Sequence, residues 1–149
     1  MRTRLIAVLL LASAVIYACG PRSHAAAAPP RKRAVKGASV EGSLNVKVAD
    51  RVSFALQVTN NAERRVELVF PSGQTYDMAV MDSAGREVWR WSDGRIYTQS
   101  LQSRVLESTE SYSYSAAWKP EALHGNFVAV AYLKSENHPL EQRVAFSLP

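Results

Sequence analysis

The sequence contains a single cysteine, Cys19. No intramolecular disulfide can form, so any fold must be held by packing alone. Histidine is nearly as scarce, with only His24, His124 and His138. No pair of them has metal-ligand spacing and no cysteine follows position 19, so the familiar zinc patterns are excluded. None of the seven glycines builds a phosphate-cradling loop or a Gly-x-Ser-x-Gly nucleophile elbow. Serines are plentiful, yet none stands in a nucleophile context. Asp77, Asp82 and Asp93 would form a carboxylate cluster only by accident of folding, and Asp82 and Asp93 fall at turns, where Asp bonds the backbone. These absences leave no expected catalytic residue, no metal site and no cofactor, and the chain reads as a non-enzyme.

The folded part also lacks a net positive charge. The whole chain carries +5, but seven of its 18 Lys and Arg lie before Ser39: Arg2, Arg4, Arg22, Arg31, Lys32, Arg33 and Lys36. From Ser39 onward 11 basic residues face all 13 acidic ones, a net charge of −2. A nucleic-acid-binding domain usually shows a basic face of its own, so no nucleic-acid partner is expected.

The N-terminal forty residues read as a leader and a spacer. Met1-Arg2-Thr3-Arg4 is a short positive start, and Leu5 to Ala18 is an uncharged run, shorter than the roughly 20 residues of a membrane-spanning helix. Residues 1–18 are therefore expected to be a signal peptide. Ile16-Tyr17-Ala18-Cys19 resembles a bacterial lipobox, although Tyr17 is bulkier than that pattern prefers. It makes Cys19 the candidate lipid-attachment residue and the protein a membrane-anchored lipoprotein of the cell envelope. In the alternative, signal peptidase cuts near residue 25, within Ser23-His24-Ala25-Ala26, and the protein is soluble in the periplasm or secreted. Residues 19–38, with Pro29-Pro30-Arg31-Lys32-Arg33, have no apolar face to bury and read as a flexible basic linker.

From Ser39 to the end, apolar residues recur at every second position, the mark of half-buried strands. Leu44, Val46 and Val48 form one such row. Val52, Phe54, Leu56 and Val58 form another, and Val66, Leu68 and Phe70 a third, the last two expected to pair as a hairpin across Thr59–Glu63. Tyr76, Met78 and Val80 follow, with Asp77 on the opposite face, and then the turn at Asp82–Gly85 and a strand over Glu87–Trp91. Trp89 and Trp91 share a face, so both should be buried or both half-buried. Ile96 to Leu106 is weakly patterned. Tyr112, Tyr114, Ala116 and Trp118 alternate before Lys119-Pro120. Phe127 to Leu133 is apolar at nearly every position, as in a central strand, and Leu140, Val144, Phe146 and Leu148 mark the last. Residues 39–149 are thus expected to form one all-β domain of about eight strands, an immunoglobulin-like antiparallel β-sandwich, with a small barrel as the alternative. The aromatics at strand spacing are expected to pack the core rather than to line a binding face.

Tyr76-Asp77-Met78 and Glu87-Val88-Trp89-Arg90-Trp91-Ser92 resemble the BsuPI family, named for an intracellular proteinase inhibitor. The resemblance extends to Val58-Thr59-Asn60, Phe70-Pro71-Ser72-Gly73-Gln74, the Asp82–Gly85 turn, Gln99-Ser100-Leu101 and Gly125-Asn126-Phe127-Val128-Ala129-Val130. It departs at Thr109-Glu110, where the family has Gly-Glu, which bears on a turn. The resemblance implies an immunoglobulin-like sandwich and inhibition of a subtilisin-like serine protease. It supplies no inhibitory residue. The loops most able to meet a protein partner are Pro71 to Thr75, Ser92 to Ile96 and Ser135 to Pro139, with Ser72, Gly73, Gln74, Asp93, Gly94 and Arg95 as the candidate binding residues. The expected protein is a monomer that either inhibits a protease or serves as a non-inhibitory accessory module of the envelope.

Overall fold

The computed structural model describes residues 39–149, and the expected signal peptide, the candidate lipid-attachment residue Cys19 and the basic linker lie outside them. The described residues form nine strands: β1 (Val40–Val48), β2 (Val52–Asn60), β3 (Val66–Phe70), β4 (Tyr76–Asp82), β5 (Glu87–Arg90), β6 (Gln102–Leu106), β7 (Ser111–Trp118), β8 (Gly125–Leu133) and β9 (Leu140–Leu148). All pairings are antiparallel. One sheet has the order β1-β2-β7, a second β5-β4-β8-β9, and β3 and β6 form a two-stranded ladder.

The alternation seen in the sequence becomes the core. Along β2, Val52, Phe54, Leu56 and Val58 are buried while the residues between them are not. β7 turns Tyr114, Ala116 and Trp118 inward, and the opposing sheet supplies Met78, Val80, Phe127, Ala129, Ala131 and Leu133. A period of two on each strand is what seals two sheets face to face. β8 lies between β4 and β9, which accounts for its nearly unbroken apolar run. A lattice of rings ties the sheets together. Phe54 stacks on Trp89 at 5.4 Å, Trp89 on Trp118 at 6.0 Å, and Trp118 meets Phe127 edge-on at 6.2 Å between ring centres. Trp89 and Trp91 are both half-buried and both pack against the core.

The expected hairpin between the second and third apolar rows does not form. β2 instead pairs with β1, closing at Val48 and Val52, and β3 pairs with β6 from Val66 opposite Leu106 to Phe70 opposite Gln102. Asn60 explains the difference. Its side chain is fully buried, and its Nδ2 donates to the carbonyls of Arg64 (2.8 Å), Leu106 (3.1 Å) and Glu107 (3.0 Å), while its Oδ1 accepts from the Ala62 N–H (2.9 Å). The turn after β2 is thereby fastened to the end of β6, so β3 leaves β2 and runs beside β6. A turn-forming stretch between two apolar rows fixes a reversal of direction, not the partner of the next strand.

The edge of β3 is covered by the connection between β8 and β9. The Glu136 N–H donates to Val69 O (2.8 Å), Asn137 Oδ1 accepts from the Val69 N–H (3.0 Å), and Asn137 Nδ2 donates to Glu67 O (2.7 Å). At another edge β1 approaches β9 closely enough that a Cβ on Gly42 would stand 3.2 Å from Leu140 Cδ1.

Candidate functional site

Two of the three loops singled out from the sequence come together at the end of the sandwich where β4 begins. Asp77 organises them. Its carboxylate is 2 % exposed, and Oδ1 accepts from the backbone N–H of Met78 (2.9 Å) and Ser92 (3.2 Å). Oδ2 accepts from Arg90 Nη1 (2.7 Å) and from the Ser92 hydroxyl (2.9 Å). Arg90 in turn donates to both carboxylate oxygens of Glu87. The bonds from Glu87 and then Asp77 hold the guanidinium pKa above its ordinary value, although burial works against them. A buried carboxylate with four donors is fully compensated, and removing one partner of such a pair typically costs about 3–5 kcal/mol. Residues spread over Tyr76-Asp77 and Trp-Arg-Trp-Ser therefore form one structural clasp, which fastens the loop after β5 to β4.

That loop is held along its length. The Trp91 N–H donates to Met78 O (2.7 Å), and the Trp91 ring stacks on Tyr76 at 6.3 Å. The Arg95 guanidinium lies 3.5 Å from the centre of the Trp91 ring, and its Nε donates to Trp91 O (2.9 Å). The Arg95 N–H closes a turn onto Ser92 O (3.1 Å) through Gly94, whose φ of +70° suits glycine. The Asp93 N–H reaches Arg90 O at 3.4 Å. The Tyr97 hydroxyl is buried and its pKa is raised, chiefly by desolvation and further by the nearby Asp77 charge. Behind Tyr76 the rings continue through Tyr114 (4.9 Å) to Tyr112 (4.9 Å), and Arg104 closes the far end 3.6 Å from the Tyr112 ring centre.

The loop after β3 meets this one at Gly73. Its N–H donates to Thr98 O (2.9 Å), and a Cβ there would stand 2.6 Å from Thr98 Oγ1, inside contact distance. Any side chain here would have to displace the Thr98 hydroxyl. Ser72 Oγ accepts from the Gln74 N–H (3.2 Å), and the Thr75 N–H donates to Gly73 O (3.1 Å). Ser72, Gly73 and Gln74 are half-buried, whereas Asp93, Gly94 and Arg95 are exposed. The third loop begins beside the first, where the Lys134 N–H donates to Thr75 O (2.9 Å), but Ser135 is buried and the Glu136 N–H and the Asn137 side chain are bonded to β3.

The structure adds weight to residues outside the six named for binding. Ile96, the last residue of the loop expected from the sequence, is 100 % exposed, and Leu101, just ahead of β6, is 72 % exposed. Asp77 had only its alternation to place it, on the face opposite Tyr76 and Met78, and the sequence does not show that the following loop covers that face. At the other end of the domain, Asp50, Arg51, Ala117, Trp118 and Lys119 line a shallow hollow of about 330 Å³. His124 Nδ1 bonds the carbonyl of Pro149, and the His138 N–H bonds Ser135 Oγ, so both stand in connecting loops. What the loop end can offer chemically is a shape held in advance, braced by the Asp77–Arg90–Glu87 ion pairs.

Among solved structures, the β-glucosidase EmGH1 from Erythrobacter marinus is 21% identical over 74% of this chain, with a TM-score of 0.43. The chain spans 15% of that enzyme's length. The β-glucosidase DesR from Streptomyces venezuelae is 11% identical over 74% of this chain and 15% of its own, at a TM-score of 0.40. The yjhA protein from Bacillus subtilis is 14% identical over 71% of this chain and 90% of its own, also at 0.40. None of these likenesses bears on function. No curated protein matches the chain. The family model for BsuPI, intracellular proteinase inhibitor, matches residues 40–138, from the first strand through the loop that clasps β3, and the chain belongs to that family.

Proposed function

We propose that this protein is an exported inhibitor of a subtilisin-like serine protease, and that it meets the enzyme with the paired loops Pro71–Thr75 and Ser92–Leu101. The observation that carries the reading is the bracing of those loops by the Asp77–Arg90–Ser92 clasp and the Gly73–Thr98 contact, within the segment that belongs to the inhibitor family. A loop already held in its bound shape loses little entropy on docking. The family name speaks of an intracellular inhibitor, while the leader of this chain reads as an export signal. Titrating the full chain against a panel of serine proteases is expected to give nanomolar to micromolar inhibition. Unchanged proteolysis at a large molar excess of the chain rejects it.

A second reading is a lipid-anchored accessory module of the envelope, favoured by Cys19 after its apolar run and by the seven cations before Ser39. It expects the chain to co-purify with an envelope component and to leave every protease untouched. A Cys19→Ser variant is expected to move from the membrane fraction to the soluble one if the cysteine is lipidated.

A further inference from the structure

The geometry points to Ile96 as the side chain that enters the primary specificity pocket of the target protease, and hence to a protease whose pocket is apolar. The assignment rests on the inhibitory reading above and adds the contact residue and the class of pocket. Ile96 is 100 % exposed, the most exposed of the large apolar side chains among the described residues, ahead of Leu101 at 72 %, and the residues on either side of it are tied to the domain. On one side Arg95 is held by the Trp91 ring and by Trp91 O. On the other, Tyr97 buries its hydroxyl, and Thr98 O accepts from the Gly73 N–H. Ile96 is thus presented between flanking residues that are both fastened to the domain. A large apolar side chain displayed on a braced loop is the form of an interface anchor, since a few such groups carry most of the binding energy when they fill a pocket. Serine proteases sort ligands by that pocket, which is an apolar slot in some and carries an acid at its base in others. The Ile96 chemistry fits the first kind. The contact is non-covalent and needs no cleavage of the loop.

The test measures inhibition constants of the full chain and of Ile96→Ala, Ile96→Glu and Ile96→Arg against subtilisin, for the apolar pocket, and trypsin, for the acidic one. The wild type is expected to inhibit subtilisin. Ile96→Ala weakens inhibition by about 10-fold or more and Ile96→Glu by about 100-fold or more, because it carries a charge into an apolar slot. Ile96→Arg loses subtilisin and gains trypsin. Melting temperatures of the variants should match the wild type, because the side chain packs against nothing. Equal inhibition by the wild type and Ile96→Glu overturns the assignment and leaves the inhibitory reading standing. A wild type that inhibits neither enzyme removes both.

Discussion

Asn60 shows how much a single side chain decides. Its amide donates to three carbonyls and accepts from one N–H, so the end of β2 and the end of β6 share one fastening. Asn60→Ala leaves one buried and two part-buried carbonyls to find other donors and is expected to lower stability by about 2–3 kcal/mol in denaturant unfolding, at roughly 1–3 kcal/mol for a buried group left unpaired. Asn60→Asp should be worse than alanine, because a carboxylate has no N–H to give and sets negative charge against those carbonyls. Thr109 is a second decisive residue, with the opposite sign. Its φ is +63°, a region that a β-branched residue enters at a cost, and it stands where the related pattern has glycine. Its N–H still bonds Asn60 O (3.0 Å), so the turn is kept at the expense of backbone strain. Thr109→Gly is expected to raise stability by about 1 kcal/mol, read as a higher urea midpoint with an unchanged slope.

At the scale of elements, the strands were legible in the sequence and their neighbours were not. Apolar alternation marks β1, β2, β3 and β7 because each buries one face, and it marks β4 through Tyr76, Met78 and Val80 although that strand also buries Asp77 and Ala79 on the other. β8 declared itself by losing the alternation. Pairing is set by contacts far apart in the chain, such as those of Asn60, and the assembly of the loop end depends on Gly73 meeting Thr98 and Asp77 meeting Ser92. Nothing in local periodicity reports those meetings. The motifs Tyr-Asp and Trp-Arg-Trp-Ser were visible as words, but their shared role in one clasp became clear only in three dimensions. The clasp on β3 is of the same kind. An uncovered strand edge offers free N–H and C=O groups to other chains, and Asn137 covers one of each. Asn137→Ala is expected to cost about 1–2 kcal/mol and to increase concentration-dependent aggregation. Equal light scattering from variant and wild type at high concentration would contradict that role.

At the scale of the whole domain, titrating groups bound the pH range of stability on both sides. The backbone N–H of Arg86 leads several donors that hold the Asp82 carboxyl below its ordinary value of 3.8. A lowered folded-state value means that its contribution is complete above 3.8 and fades as pH falls further. Burial raises Tyr76, Tyr97 and Tyr114 above 10.0. The unfolded chain releases those protons first, so stability should hold up to pH 10.0 and decline above it. Tyr114→Phe removes one such proton, and its unfolding free energy should fall less steeply with alkaline pH than that of the wild type. The sandwich also has two unlike ends. Val40 pairs with Asn60, Gly42 lies against Leu140, and Leu140 pairs with Leu133, which pairs with Tyr76, so the entry to the domain and the Gly73–Ile96 loops share one end. Leu148 pairs with Gly125 at the other, a strand of nine residues away, or about 30 Å. A bead, dye or fusion partner joined after Pro149 therefore leaves the loops open to a large enzyme, whereas the same attachment placed just ahead of Val40 crowds them.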